Sequence, residues 1–277
     1  MRKFVVPVVA GIGLTAAALA PAIAADMKVK APIYTKAPPP VLTWTGCYVG
    51  GNGGWKGSRF SESDSTPPAT LGAATGSGGT NIPGNVNGSS GAIGGQFGCR
   101  YEAPQNWVVG LEADFDWTNV HATQTVGTAG GFLIPGDNFS LHERWESSLR
   151  ASVGQAWGNW LVYVTGGPAL ARVDKDASYI ATAVGAIAFP ASTGSDGRTL
   201  FGYTIGAGVA YAFDAHWDLG VEYRFSSYQS SLFSLGTVAA ICNGGGTCAS
   251  VPVTGSVGLQ TSEVLAKLNY RFPTFAP

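Results

Sequence analysis

The sequence predicts an all-β protein, an eight-stranded antiparallel transmembrane β-barrel with four long external loops and short periplasmic turns. Three observations predict this class: eight segments alternate in polarity with period 2, long and short connections alternate between them, and charge is sparse. Charged residues make up 12 % of the 277 residues, whereas an average soluble domain has ~25 %. A barrel with a lipid-facing outer band needs less charge than a soluble protein of this size.

The N-terminus has the features of a secretory signal peptide. Arg2 and Lys3 precede an apolar run that is shorter than the ~20 residues a membrane-spanning helix needs. An Ala-x-Ala pattern ends the run, so we expect cleavage after Ala24, with Ala25 as the second choice and an uncleaved anchor as the alternative. The predicted division is a signal peptide at 1–24, a proline-rich periplasmic lead-in at 25–43, the barrel at 44–272 and a C-terminal tail at 273–277.

Period-2 alternation predicts the eight strands and the direction of their side chains. The segments are 45–55, 91–101, 107–117, 146–157, 160–173, 200–213, 217–228 and 260–272. In segment 107–117 every second residue is apolar and faces outward, while Glu112, Asp114 and Asp116 face inward. Segment 160–173 is apolar on both faces, so its register is left open.

The connections between these segments alternate between short and long. The short links are 102–106, 158–159 and 214–216, and the long ones, rich in Gly, Ser, Thr, Asn and Pro, are 56–90, 118–145, 174–199 and 229–259. Such alternation around an even number of strands is typical of barrels with short periplasmic turns and long external loops. Aromatic residues flank the short turns and predict an interfacial girdle. A soluble lipocalin-like barrel is the alternative that this pattern disfavours.

Four stretches of the sequence resemble a known family. They are WTGCYVGGN at 44–52, VYVTGG at 162–167, YTIGAGV at 203–209 and KLNYRF at 267–272. They resemble the small alphaproteobacterial outer-membrane β-barrel proteins, porin-family surface antigens related to the barrel domain of outer-membrane protein A. The resemblance covers nearly the whole mature chain. It departs at Ala210, where the family often has an acidic residue, and at the five residues that follow Phe272.

Eight strands enclose a cylinder that side chains can fill. Inward acids and bases occur in similar numbers, and an unpaired buried charge costs several kcal/mol, so we predict a salt-bridge network in the lumen. Its predicted members are Glu112, Asp114, Asp116, Arg150, Glu222, Arg224, Lys267 and Arg271. The three acids of the third segment stand ~7 Å apart on a strand, which suits pairing with Arg150 better than metal chelation. The alternative is a narrow pore for ions or small solutes, and the sequence leaves open whether the lumen conducts.

Four cysteines in an exported chain predict disulfides. Cys47 lies near the start of the first strand and Cys99 near the end of the second, so an antiparallel hairpin puts both at its periplasmic end and on its outward face. Cys242 and Cys248 bracket five residues of the last long link. We expect the pairs Cys47–Cys99 and Cys242–Cys248. A zinc site is the alternative, but the two pairs lie at opposite ends of the predicted barrel.

The expected function is a structural and surface-interaction role in the cell outer membrane. One alternative is the narrow pore. Another is a loop-mediated receptor for haem or another ligand, since some members of the resembling group bind haem and His121 and His142 fall in the second long link. The third histidine, His216, falls in a periplasmic turn, and no G-x-S-x-G elbow occurs. We therefore predict that the protein is not an enzyme and has no catalytic residue, cofactor or metal site.

The expected partners follow from the predicted location in the envelope. They are outer-membrane lipid, lipopolysaccharide and the barrel assembly machinery, with peptidoglycan and host surface ligands as further candidates. A net charge of -1 without a basic stripe argues against nucleic acid. The sequence names neither the ligand of the loops nor the oligomeric state.

Overall fold

Eight long strands close into one antiparallel barrel, so the predicted fold class is confirmed. The computed structural model describes residues 42–65, 82–125, 136–184, 187–189, 191–242 and 248–272. The strands are β1 (Gly46–Ser65), β2 (Ile82–Ala103), β3 (Trp107–Thr125), β4 (Asn138–Trp157), β5 (Trp160–Tyr179), β6 (Thr182–Val184), β7 (Ile187–Phe189), β8 (Ser192–Ala212), β9 (Trp217–Cys242) and β10 (Cys248–Arg271). Around the barrel their order is β1-β10-β9-β8-β5-β4-β3-β2, and β6 and β7 form a separate two-stranded hairpin.

The ends of the chain fall outside this description. The predicted signal peptide, the lead-in up to residue 41 and the tail at 273–277 are not among the described residues. Within the described part, helical structure is confined to a 3-10 turn at Pro104–Asn106. No helix found there is long and apolar enough to cross a membrane.

The strands are longer than predicted, and the four long links are correspondingly shorter. β1 continues to Ser65 and β2 begins at Ile82, whereas a loop was predicted from residue 56 to residue 90. Their paired residues run without a break from Lys56↔Ser90 to Asp64↔Ile82. The predicted bounds were wrong because they followed the outward apolar residues, which end at the membrane edge. Backbone hydrogen bonds continue the ladder whatever side chains it carries.

The later links show the same difference. β9 reaches Cys242 and β10 begins at Cys248, so the link predicted at 229–259 reduces to residues 243–247. The link predicted at 174–199 contains the β6–β7 hairpin, which the sequence did not indicate. The strands therefore extend well past the length that a bilayer requires.

Side chains alternate between the outer wall and the lumen as the polarity pattern predicts. On β3 the large apolar residues Trp107, Val109, Leu111 and Trp117 are exposed. The lumen-facing acids of the same strand are buried. Burial also decides the register of β5, which the sequence left open: Leu161 and Tyr163 are buried in the lumen, while Val162 and Val164 face outward.

The outward apolar face has the height of a bilayer. On β5 it runs from Trp160 to Leu170 and ends there, because the next outward residue is Arg172. Ten residue steps of about 3.3 Å at a tilt of ~40° rise about 25 Å, which is the height of the apolar band of outer-membrane barrels. The membrane edge on this strand therefore lies between Leu170 and Arg172.

The short turns lie at the end of the barrel that is predicted to face the periplasm. In the turn between β8 and β9, the backbone N–H groups of His216 and Trp217 donate to Asp214 Oδ1 over 2.6 and 2.8 Å. These two hydrogen bonds lower the pKa of the Asp214 carboxyl from its usual value. Trp217 also packs on Tyr270, with ring centroids 5.1 Å apart. Capping and aromatic contacts thus hold this turn at the girdle.

Substitution of Leu111 with arginine tests whether the exposed apolar band faces hydrocarbon. The side chain is 62 % exposed near the middle of the β3 band. We expect Leu111→Arg to destabilise the barrel by about 2–4 kcal/mol, because it places a cation near the middle of the bilayer. Urea-induced unfolding from lipid vesicles measures the change. Thr123→Arg is the matched control, since Thr123 lies on the same face of the same strand beyond the band. Equal losses for the two variants would contradict a lipid-facing band.

Candidate functional site

The centre of the lumen is built around Arg150 of β4. Its Nη2 donates to Glu112 Oε1 over 2.5 Å and to Asp114 Oδ2 over 2.6 Å, and its Nη1 donates to Glu222 Oε1. Glu112 and Arg150 are directly opposed across β3 and β4, as expected for a cross-strand ion pair. Glu222 reaches the same guanidinium across the lumen from β9. One arginine is thus shared by three carboxylates.

Two further cations complete this group. Lys267 Nζ donates to Glu112 Oε1 over 2.5 Å and to Glu222 Oε2 over 3.1 Å. Arg224 Nη1 donates to Asp116 Oδ2 over 2.8 Å. The structure therefore brings seven of the eight predicted network residues into one group, here called the central cluster: Glu112, Asp114, Asp116, Arg150, Glu222, Arg224 and Lys267.

The eighth predicted residue, Arg271, lies apart from the central cluster. Its Nη1 donates to the carbonyl oxygen of Thr43 over 2.6 Å, and its Nη2 donates to the carbonyl oxygen of Asp214 over 3.1 Å. Its carboxylate neighbour is Asp218, at 3.6 Å. Arg271 also lies 4.9 Å from the ring centroid of Trp44. The alternation pattern gives the direction of a side chain but not its height, so it did not separate this residue at the periplasmic mouth from those at the centre.

Two glycines leave room for two tyrosine side chains that donate hydrogen bonds to carboxylates of the central cluster. Tyr48 Oη donates to Glu112 Oε2 over 2.6 Å, and Tyr163 Oη donates to Glu222 Oε2 over 2.8 Å. A Cβ atom at Gly98 would lie 2.6 Å from the Tyr48 hydroxyl, and one at Gly208 would lie 2.6 Å from the Tyr163 hydroxyl. Any larger residue at either glycine would displace a ring that orients a carboxylate.

A second group of charges lies on the external side of the central cluster. Lys56 Nζ donates to Glu146 Oε2 over 2.6 Å, lies 3.1 Å from Glu263 Oε1 and pairs with Glu143. We call these four residues the upper cluster; each is fully buried. Arg224 lies 3.9 Å from Glu263 Oε2 and so connects the two clusters.

The upper cluster was not predicted, because the predicted external loops at 56–90 and 118–145 included Lys56 and Glu143. The sequence nevertheless contains a signal that Lys56 faces the lumen. Lys56 follows Asn52 and Gly54 at every second position, so extending the period-2 count by one step would have placed it in the lumen.

Apolar side chains fill both ends of the lumen. The external layer consists of Phe60, Val120, Ala122, Phe139, Leu141, Ala169, Ala171, Val173, Ala177, Tyr179, Leu200, Tyr228, Phe233, Leu235, Val257 and Leu259. The periplasmic layer consists of Trp44, Val108, Ala156, Leu161, Tyr163, Ala210 and Ala212. Ala210 stands where the resembling family often has an acid, and here it is 2 % exposed among apolar neighbours. The two charged clusters thus lie between two mainly apolar layers, and further buried ion pairs, Lys175 with Glu62 and Arg271 with Asp218, lie toward the ends of the lumen.

One cavity that borders the central cluster is small. A cavity of about 10 Å³ lies between Tyr48, Arg100, Glu112, Tyr163 and Glu222. That is about the minimum space for one water molecule. The arrangement is chemically suited to holding charges fixed, and a hydrated ion would have to displace side chains to pass through this cavity.

Comparison with known proteins identifies the family. The protein-family model described as "Outer membrane protein beta-barrel domain" matches residues 12–272. The 31 kDa outer-membrane immunogenic protein of Brucella melitensis is 32 % identical over 213 residues, which cover 74 % of this chain and 80 % of that protein. The chain belongs to the outer membrane protein beta-barrel family.

Other similar proteins are also named as outer membrane proteins. The 22 kDa outer membrane protein of Rhizobium leguminosarum bv. viciae is 26 % identical over 197 residues, covering 71 % of this chain and 70 % of that protein. Among solved structures, the outer membrane protein OprG from Pseudomonas aeruginosa aligns with 83 % of this chain and 97 % of its own, at 13 % identity and a TM-score of 0.43. Membership of the family and the names of its relatives place this barrel in the outer membrane.

Two of the three histidines of this outer membrane barrel do not lie where they were predicted, whereas His216 lies in the predicted turn between β8 and β9. His121 and His142 were assigned to an external loop, but they lie on β3 and β4, directly opposite each other, with ring centroids 4.2 Å apart. His216 stacks on Tyr270 at the other end, 5.9 Å between ring centroids. Within the described ranges, no three His, Cys, Asp or Glu side chains converge as a metal site.

The first of the two predicted cysteine pairs is joined by a disulfide. Cys47 and Cys99 are directly opposed on β1 and β2 and form a disulfide. The backbones of Cys242 and Cys248 are also directly opposed, on β9 and β10. The side chains of this second pair fall outside the description, so their disulfide stays a prediction.

Proposed function

We propose that this outer membrane barrel is a structural, surface-presenting protein whose lumen is closed. The observation that carries the proposal is the filled interior. From the periplasmic layer through the central and upper clusters to the external layer, buried side chains occupy the lumen. Fixed ion pairs among them would have to separate before a solute could pass, and separating buried charges is costly. This favours the structural role over the narrow pore.

The length of the strands supports presentation at the cell surface. β9 has 26 residues, or roughly 80 Å along the strand, whereas the segment that crosses the bilayer on β5 takes about 33 Å. The excess is a paired, hydrogen-bonded extension beyond the membrane. A projecting wall of this kind can carry binding surfaces, and the Brucella relative is named an immunogenic protein.

The remaining expectations belong to the same proposal. The Brucella relative is named for its immunogenicity and not for an enzymatic activity, in keeping with the proposed non-enzymatic role. The outer wall contacts membrane lipid, and the aromatic residues Tyr270 and Phe272 at the end of β10 suit recognition by the barrel assembly machinery. Peptidoglycan and host surface ligands are further proposed partners of the periplasmic and external ends.

Planar-bilayer recording of the refolded protein tests the closed lumen. We expect the wild type to insert without stable unitary conductance steps. Glu222→Ala/Lys267→Ala is the comparison, because it removes a carboxylate and its partner ammonium together and so loosens the central cluster without changing net charge. Brief openings are expected in this variant alone. Regular conductance steps in the wild type would overturn the closed-lumen proposal and support the narrow pore.

A further inference from the structure

The outer wall carries two arginines at the external edge of the apolar band. Arg172 is the first outward residue of β5 beyond Leu170. Arg144 lies beside it on β4, where the pairing of β4 with β5 shifts register between Glu143 and Trp145. A β-bulge of this kind re-aims a side chain. Both guanidiniums therefore lie just above the hydrocarbon, where the headgroups of the outer leaflet begin.

One carboxylate holds the two arginines together. Asp174 Oδ2 accepts a hydrogen bond from Arg144 Nε over 3.0 Å, and Asp174 Oδ1 accepts one from Arg172 Nε over 3.0 Å. Both guanidiniums are thus oriented through Nε, and their terminal Nη groups donate to no other described residue. Two positive charges share the carboxylate of Asp174, so the group, here called the arginine pair, has a net charge of about +1, and none of its four Nη groups is used by another side chain in the part of the chain that the structure describes.

The neighbouring strand makes room for this arrangement. Gly197 of β8 is directly opposed to Asp174. A Cβ atom at this position would clash with the Arg172 guanidinium and with the Asp174 carboxylate. Three strands, β4, β5 and β8, therefore combine to set the arginine pair against the wall.

The surroundings of the arginine pair change from apolar to polar along the membrane normal. On the membrane side lie Leu170 and Leu149, which are 40 % and 55 % exposed. On the external side a groove of about 420 Å³ opens on the same wall, and six of its eight lining residues carry a hydroxyl, amide or carboxylate group: Asn138, Ser140, Asp176, Ala177, Ser178, Thr193, Gly194 and Ser195. Asp176 lies at the membrane-facing end of the groove, in the same row as Ser140 and Ser195 and two residues beyond Asp174, and it is 3.9 Å from His142.

We propose that the arginine pair binds the phosphate of a phosphorylated glycolipid in the outer leaflet, the class to which lipopolysaccharide belongs. Acyl chains would lie on the aliphatic band, the phosphate would accept hydrogen bonds from Arg144 and Arg172, and sugar hydroxyls would occupy the polar groove. Arginine forks match phosphate oxygens in geometry and charge. The inference rests on the outer membrane location and not on whether the lumen is closed.

A third arginine, Arg198 of β8, follows Gly197 in the chain and provides the control. Arg198 Nε donates to Asp196 Oδ2 over 3.0 Å and its Nη2 lies 3.0 Å from the same oxygen. This guanidinium is neutralised by its own carboxylate and does not join the arginine pair. It is 49 % exposed, so its removal should not disturb the fold.

The test measures binding of bisphosphorylated lipid A to the folded full chain in detergent, with dephosphorylated lipid A and inorganic phosphate as further probes. We expect the wild type to bind the bisphosphorylated lipid and to lose at least about tenfold in affinity in Arg144→Ala/Arg172→Ala, since hydrogen bonds to charged groups contribute this much. Arg198→Ala should bind as the wild type does. Unfolding midpoints establish that both variants remain folded.

Four results would overturn the proposal. Unchanged affinity in the double variant would show that the arginine pair is not the site. Equal loss in Arg198→Ala would show unspecific attraction of anions. Equal binding of dephosphorylated lipid A would show that the phosphate is not recognised. Tight binding of inorganic phosphate alone would assign the site to a free anion instead of a lipid.

Discussion

Replacement of Arg150 with leucine is expected to destabilise the barrel by about 3–5 kcal/mol, the usual effect of removing one partner from a buried ion pair. The guanidinium is fully buried and contacts Glu112, Asp114 and Glu222. Its loss leaves the four carboxylates of the central cluster with only Arg224 and Lys267 as cations. Their mutual repulsion in a dry interior is the reason for the size of the effect.

Equilibrium unfolding by urea from lipid vesicles measures this change. Arg59→Leu is the matched control, because Arg59 is exposed on the outer wall of β1 and its removal should alter the free energy of unfolding by less than about 0.5 kcal/mol. Addition of Glu112→Gln and Glu222→Gln to Arg150→Leu should recover part of the loss, since it removes two of the uncompensated charges. Equal stability of Arg150→Leu and Arg59→Leu would contradict a cluster that depends on this arginine.

Removal of the Cys47–Cys99 disulfide, by Cys47→Ser/Cys99→Ser, is expected to reduce the free energy of unfolding by about 4 kcal/mol in the chain-entropy model. The bond joins residues 52 positions apart, so it restricts a long loop in the unfolded chain. In the folded barrel the β1–β2 ladder already holds the two residues opposite each other. The loss should therefore appear in stability and not in the fold.

Urea unfolding of the double variant, beside the wild type with and without reductant, measures the loss. The reduced wild type should match the variant. Cys242→Ser/Cys248→Ser should cost less, because these residues would close a loop of only five intervening residues. Non-reducing peptide mapping identifies the pairs directly, and a crossed pair such as Cys47–Cys242 would contradict the strand register.

The period-2 pattern was sufficient for the architecture and for side-chain direction. It predicted eight strands, the outward position of Leu111 and the inward position of Glu112, and it predicted that Cys47 and Cys99 would be opposed on the first hairpin. These are local properties of a pleated strand and of a two-strand hairpin, so a linear sequence carries them. The family resemblance added the location, which the relatives bear out.

Contacts across the lumen and around the wall were decided by the tertiary structure. Closure of the barrel sets the height at which each strand presents its side chains, so it brings Glu222 of β9 to Arg150 of β4 and leaves Arg271 at the periplasmic mouth. A bulge in β4 places Arg144 beside Arg172 of β5. Strand direction follows from alternation, but the stagger between strands depends on the hydrogen-bond register of the closed sheet, which no single segment contains.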